Sequence, residues 1–194
     1  NIHDNAYAVG TLDLTGDMPI LLGPDGPSLG GFVCPVTTAS AERWKIGQLH
    51  PGDKVQFQLL TLEEAEQLRS LQEKNLESMG SYDFSNLVES KLPDTTVLLD
   101  AEYPVLYRSN EGQFPVNIRC AGDEYMLVEY GEMELDLRYR FQAHVLMEAL
   151  RDESELFILD LTPGIRSLQI HFDSTQISSK ELCEKVVAIN ESLP

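Results

Sequence analysis

Apolar and polar positions alternate in short runs from Gly10 to Leu59, and the spacing turns helical near residue 61. GTLDL (10–14) alternates and stops at the turn TGD. MPILL (18–22) is a short apolar run, and GFVCPVTT (31–38) follows a loop. Each reads as a strand, with Pro35 placing the last at an edge or a bend, because proline lacks the ladder donor. Ser40 is placed to cap one or two helical turns over SAERWKIGQL. A Pro-Gly turn at 51–52 then leads into a strand with Val55, Phe57 and Leu59 on one face.

Thr61 and Glu64 have the spacing of a capping box, in which each side chain serves the other's backbone donor. Leu62, Ala65, Leu68 and Leu71 repeat along one face of the helix that follows, and Gly80 is its stop. Periodicity fails from Ser81 to Gln113, which reads as a connector, with TVLLD (96–100) a short strand inside it. VNIRC, the turn AGDE and YMLVEYG then form a hairpin, and Leu137, Phe141, Val145 and Ala149 mark an amphipathic helix over 134–151. LFILDL and SLQIHF are strands around TPGIR. A second capping box at Ser178–Glu181 opens a helix with Leu182, Val186, Ile189 and Leu193 on one face. The order hairpin–α–β–β–α predicts a small antiparallel α+β sandwich with its helices on one face. The chain thus divides into 1–80, a connector at 81–113, and 114–194, in the α+β class.

Charge and composition narrow the function classes. The 194 residues carry a formal net charge of -18 and a pI of about 4.4, which repels phosphate backbones and excludes nucleic-acid binding. Cys34, Cys120 and Cys183 are widely spaced and odd in number, which fits reduced thiols in a cytoplasmic protein. No run approaches the roughly 18 apolar residues of a membrane span, so no membrane partner is expected. The first residues, NIHDNAYAVG, lack the features of a signal peptide and read as the middle of a longer chain. His3, His50, His144 and His171 form no metal-ligand pattern; the last two read as surface or sheet-edge residues. Cys34 reads as a small buried thiol and Trp44 as a core side chain.

One loop stands out in density. GPDGPSLGGF (23–32) places Asp25, Ser28, Gly30 and Gly31 between apolar runs. The plainer reading is a tight connection in which Asp25 makes an Asx-turn. The functional one has Gly30-Gly31 letting a ligand approach the backbone amides, with Asp25 and Ser28 adding an acceptor and a hydroxyl. Asp13 shares a strand face with Thr11 and Thr15: either a solvated face or a cleft wall whose carboxylate suits a planar cation.

These residues add up to a resemblance. GTLDLTGDMPILLGPDGPSLGGFVCPVTTASAERWKIGQLHPGDKVQFQLLTLEEA closely resembles the C-terminal part of the allophanate hydrolase subunit 2 family. The pattern runs through Asp25-Gly26, Ser28, Gly30-Gly31-Phe32, Gln48 and Pro51-Gly52-Asp53. RCAGDEYMLVEYG, DLRYRFQAHVLMEAL and LTPGIRSLQIHFD are similar to the N-terminal part of the subunit 1 family. Subunit 2 first, subunit 1 second, is the order of the carboxyltransferase region of urea carboxylases, also found fused in urea amidolyases.

The resemblance implies cyclophilin-like β-barrel domains in the complete region. This chain would hold the β-rich end of one and the α+β start of the next, and would be inactive alone. It also implies transfer of CO2 from carboxybiotin to urea, giving allophanate, or to guanidine. The biotin carrier, and the biotin carboxylase that uses ATP, would be domains of the same full-length protein, and a homo-oligomer is possible. Asp25, Ser28 and Gln48 would serve the transfer; Gly30, Gly31, Lys45 and Asp13 would bind substrate, with Asp13 discriminating guanidine from urea. The other readings are a Kip-type regulatory module and a 5-oxoprolinase component, which the segment order disfavours.

Overall fold

The computed structural model describes residues 5–26, 29–77 and 104–193. The expected strand at 96–100, the stop at Gly80 and Ser28 lie outside these residues.

The second segment is built on a five-stranded antiparallel sheet. In chain order its strands are β6 (Val105–Ser109), β7 (Val116–Cys120), β8 (Tyr125–Tyr130), β9 (Ile158–Pro163) and β10 (Ser167–Phe172). In space they run β6-β7-β8-β10-β9. The hairpin, the α3 helix (Leu137–Arg151), the second strand pair and the α4 helix (Ser179–Ser192) follow in the expected order, so the α+β class holds. The sheet also recruits β6 from the stretch read as a connector.

Pleating sorts the two faces, since successive side chains alternate. Register aligns Ile118 with Val128, Val128 with Leu168, and Met126 with Ile170. That face packs under Ala143, Leu146 and Leu150 of α3 and Leu182 and Val186 of α4, all essentially inaccessible to water. Ser178 accepts the Glu181 amide at the start of α4, as expected from the capping box.

The α3 helix turns a different face inward than its sequence predicts. Leu137 and Phe141 are 74% and 65% exposed, while Tyr139, Ala143, Leu146, Met147 and Leu150 are buried. The helix carries two apolar stripes, offset by two residues or about 200°. Periodicity reports both. The buried one includes the small Ala143 among the larger side chains that meet the sheet.

The first segment is more open. Strand β2 (Thr11–Leu14) lies between β3 (Pro19–Leu21) and β5 (Val33–Thr37), and β1 (Asn5–Ala6) pairs with β4 (Leu29–Gly30). A 3-10 turn at Ser40–Glu42 leads into α1 (Arg43–Ile46). The α2 helix (Leu62–Glu77) opens on the expected reciprocal box: Thr61 N donates to Glu64 Oε2 at 2.8 Å, and Glu64 N to Thr61 Oγ1 at 3.2 Å.

Two expectations fail in this segment, and one of the two open readings of the Thr11–Asp13 face, the solvated one, is removed. Residues 53–61 form no strand; Val55, Phe57 and Leu59 are exposed and no described strand pairs with them. Trp44 is 51% exposed and not in a core. In β2 the polar face is the inner one: Thr11 and Asp13 are both 3% exposed, while Leu14 points out. Among the described residues no helix is long and apolar enough to cross a membrane.

Candidate functional site

The second face of the five-stranded sheet is polar, and the first segment lies against it. Register aligns Tyr125, His171 and Asp160 in one row across β8, β10 and β9. It aligns Leu127, Gln169 and Thr162 in the next. Gln169 Nε2 donates to the Ala6 carbonyl at 3.2 Å, which fixes β1 over this face. Between the segments lies a cleft of about 160 Å³. Its polar wall is Tyr125, Asp160, Thr162, Gln169 and His171. Its other wall comes from Tyr7, Ala8, Val9 and Leu22, with Gly23, Pro24 and Gly26 of the glycine-rich loop.

The hairpin turn between β7 and β8 locks the segments together. Gly122 has φ +85 and lies under Thr37, where a Cβ would come within 2.9 Å of Cγ2. Asp123, 2% exposed, accepts from Ser40 N at 2.9 Å and Ser40 Oγ at 2.5 Å. It therefore supplies the cap that Ser40 was expected to make within its own segment. Glu124 pairs with Arg43, stands 3.8 Å from Arg69 and lies 3.9 Å from His171 Nε2. Burial alone would raise the Glu124 carboxyl, but the His171 imidazole and the Arg43 and Arg69 charges outweigh it and hold it below its ordinary value. His171 stacks on Tyr125 with ring centroids 4.3 Å apart. It sits in β10, an inner strand and not a sheet edge.

None of the described residues expected to carry chemistry lines this cleft; the glycine-rich loop reaches it through Gly23, Pro24 and Gly26. Asp25 and Gln48 are exposed. Lys45 is exposed, pairs with Glu42, and has its Nζ 5.8 Å from the Trp44 ring centroid. Gly30 is small for an internal reason: a Cβ there would lie 2.3 Å from Tyr7 Oη. Tyr7 also accepts the Phe32 amide at 2.8 Å, and the Gly26 amide is taken by Gly23 O at 3.0 Å. Gly31 is half-buried beside it. Asp13 is buried, and its Oδ1 has no hydrogen-bond partner among the described residues. Its charge adds to burial in pushing the half-buried Cys34 thiol up to about 11. Cys120 and Cys183 are pushed to about 12 and about 11, each chiefly by burial, so all three thiols stay protonated at neutral pH.

Tyr7 and Gln169 went unnoticed in the sequence, while Asp123 and Glu124 were read only as turn residues and His171 only as a surface or sheet-edge residue. Gln169 and His171 did carry a signal: they alternate with Leu168, Ile170 and Phe172 and so face away from the core.

Comparison with known proteins covers both segments. Residues 1–59 match the family model described as carboxyltransferase domain, subdomain A and B. Residues 116–194 match the one described as carboxyltransferase domain, subdomain C and D. The chain is 37% identical to the urea amidolyase of Saccharomyces cerevisiae, over 97% of this chain and 10% of that protein. It superposes on the crystal structure of the K. lactis urea amidolyase with a TM-score of 0.87 and 36% identity, covering 100% of this chain and 12% of that one. For the Kluyveromyces lactis urea carboxylase the TM-score is 0.83 at 34% identity, covering 100% of this chain and 17% of that one.

Proposed function

The chain belongs to the carboxyltransferase-domain family, and from that premise we propose that it supplies part of the site where a urea carboxylase passes a carboxyl group to a nitrogen of urea or guanidine. The observation that carries this reading is the seating of the two segments. The parts matched to subdomains A and B and to subdomains C and D occur in that order and pack into one unit, with the glycine-rich loop along the junction. The chain spans about a tenth of the Saccharomyces cerevisiae relative; the whole reaction, its biotin and ATP, and the carrier and carboxylase domains would belong to a full-length protein of that kind. On this reading, strands β2, β3 and β5 are part of a cyclophilin-like barrel that other polypeptide completes.

Biotin, when bound, supplies the transferable carboxyl group. The junction cleft is no seat for that anion: its lining holds no lysine or arginine, and the Gly26 and Phe32 amides beside it are already bonded. What these residues offer is orientation, which converts an encounter into a first-order step. Asp25, Ser28 and Gln48 would hold polar groups of the reactants, Gly30 and Gly31 would let them approach, and Lys45 would offset developing negative charge. Asp13 would receive the acceptor; its buried carboxylate oxygen without a partner supports a cation there.

The test is made in the full-length enzyme. Asp25→Ala or Gly31→Ala should lower carboxyl transfer by about 10-fold or more, as loss of a positioning contact does, and spare biotin carboxylation. Asp13→Asn should shift the kcat/KM ratio from guanidine toward urea. Transfer and preference both unchanged would sink the assignment.

A further inference from the structure

Two helices lie side by side over the core face of the five-stranded sheet, and their outer surfaces differ in kind. The outward side of α4 is charged, with Lys180, Glu181, Glu184 and Glu191 in solvent. That of α3 is apolar through its first turns. Leu137, Phe141 and Val145 lie four apart and form one ridge about 12 Å long, of the kind that seats in the groove of another helix. Leu137 and Phe141 are 74% and 65% exposed. Met133 and Leu135, in the loop that leads into the helix, stand in solvent as well. The inner face of α3 is already complete: Tyr139, Ala143, Leu146, Met147 and Leu150 belong to the core cluster, so the outer ridge adds nothing to it. Scattered apolar side chains on a surface need no partner, but a run of them marks an interaction site.

Charge names the kind of partner. Around the ridge, Asp136 is paired with Arg138 and Glu148 with Arg151. Glu132 and Glu134, exposed and alternating with Met133 and Leu135, leave the rim acidic in balance. A second copy would bring acid onto acid, and each chain carries a net charge of -18. We propose that the α3 ridge is the seat of an amphipathic helix with lysine or arginine flanks, carried by another domain of the same full-length polypeptide. The relatives have room for such a domain, since this chain spans 10% of the Saccharomyces cerevisiae urea amidolyase. The ridge lies on the opposite side of the sheet from the junction cleft and uses none of the residues assigned to carboxyl transfer, so it stands or falls apart from that reading.

The test is made in the full-length enzyme. A benzophenone amino acid takes the place of Phe141 in one sample and of Glu184, on the charged face of α4, in another, and each is irradiated. The Phe141 position should form a crosslink within one chain, to a single stretch outside residues 1–194 with lysine or arginine beside the attachment point, and the Glu184 position should form none. Amide exchange reads the same contact without a crosslinker. Phe141→Asp alters a side chain outside the core, so β8 and β10 should keep their protection, while exchange over 137–145 and over the crosslinked stretch should rise together by about tenfold. Phe141→Leu, which keeps the ridge apolar, should stay within about threefold of the parent enzyme. The proposal is overturned if the crosslink fails to form, joins two chains on a denaturing gel, falls within residues 1–194, lands on an acidic stretch or forms equally from the Glu184 position. It is overturned as well if Phe141→Asp leaves exchange in both stretches unchanged.

Discussion

The two segments solve the problem of burial in opposite ways. In the second, every buried residue of the core cluster comes from the segment itself, from Val116 to Val186. In the first, the buried apolar side chains are four alanines and Leu22, while Phe32, Val33, Val36, Phe57 and Trp44 stand in solvent. One segment is held by its interior and the other by its neighbour. The polar contacts at the junction therefore decide whether the first segment keeps its shape, although such contacts contribute little where a core already exists.

The largest expected effect breaks the second segment. Phe172→Ala removes a ring with no exposure and should cost about 3–5 kcal/mol in chemical denaturation. Both segments should lose amide protection together; a first segment that stays protected would show a core of its own and break the contrast. Next comes Asp123→Ala, which leaves Ser40 without its buried partner. A cost of about 1–3 kcal/mol is expected, concentrated in faster amide exchange at residues 37–46, with β7, β8 and β10 unchanged. Uniform loss across both segments would show that the contrast is too sharp. The smallest effect is acid. Glu124 is held below its ordinary value in the fold, so its contribution is present above that value and is lost as pH falls through the folded one. Below about pH 4.5 exchange should therefore rise in residues 37–46 before it rises in β10, and Glu124→Gln should remove that difference.

The contrast also explains what the sequence revealed. The α+β segment was legible nearly element by element, because its hydrophobic period, capping residues and hairpin turn agree with one another. The face of α3 was not: two apolar stripes on one helix give the same period, and only the packed sheet chooses Tyr139, Ala143 and Leu146 over Leu137 and Phe141. In the first segment the local rules misled. Thr11 and Asp13 read as either a solvated face or a cleft wall and are buried, and Val55–Leu59 look like a strand and pair with no described one. The dense loop drew the eye to Gly30, whose lack of a side chain makes room for Tyr7, 23 positions earlier. The cleft itself arises from register between strands far apart in the chain, which residue spacing within one strand does not encode.

Hairpin tips are ordinarily where a chain accepts extra residues. The tip at Ala121–Glu124 is an exception, since its three working positions each touch a different part of the other segment. One residue added there would move Asp123 off Ser40 and Glu124 off Arg43. The turn before β7 bears no such duty: Glu111, Gly112 and Gln113 are exposed. A tag, a label or a cleavage site belongs at that turn, while the one that looks identical on local grounds governs how two halves of the chain stay in register.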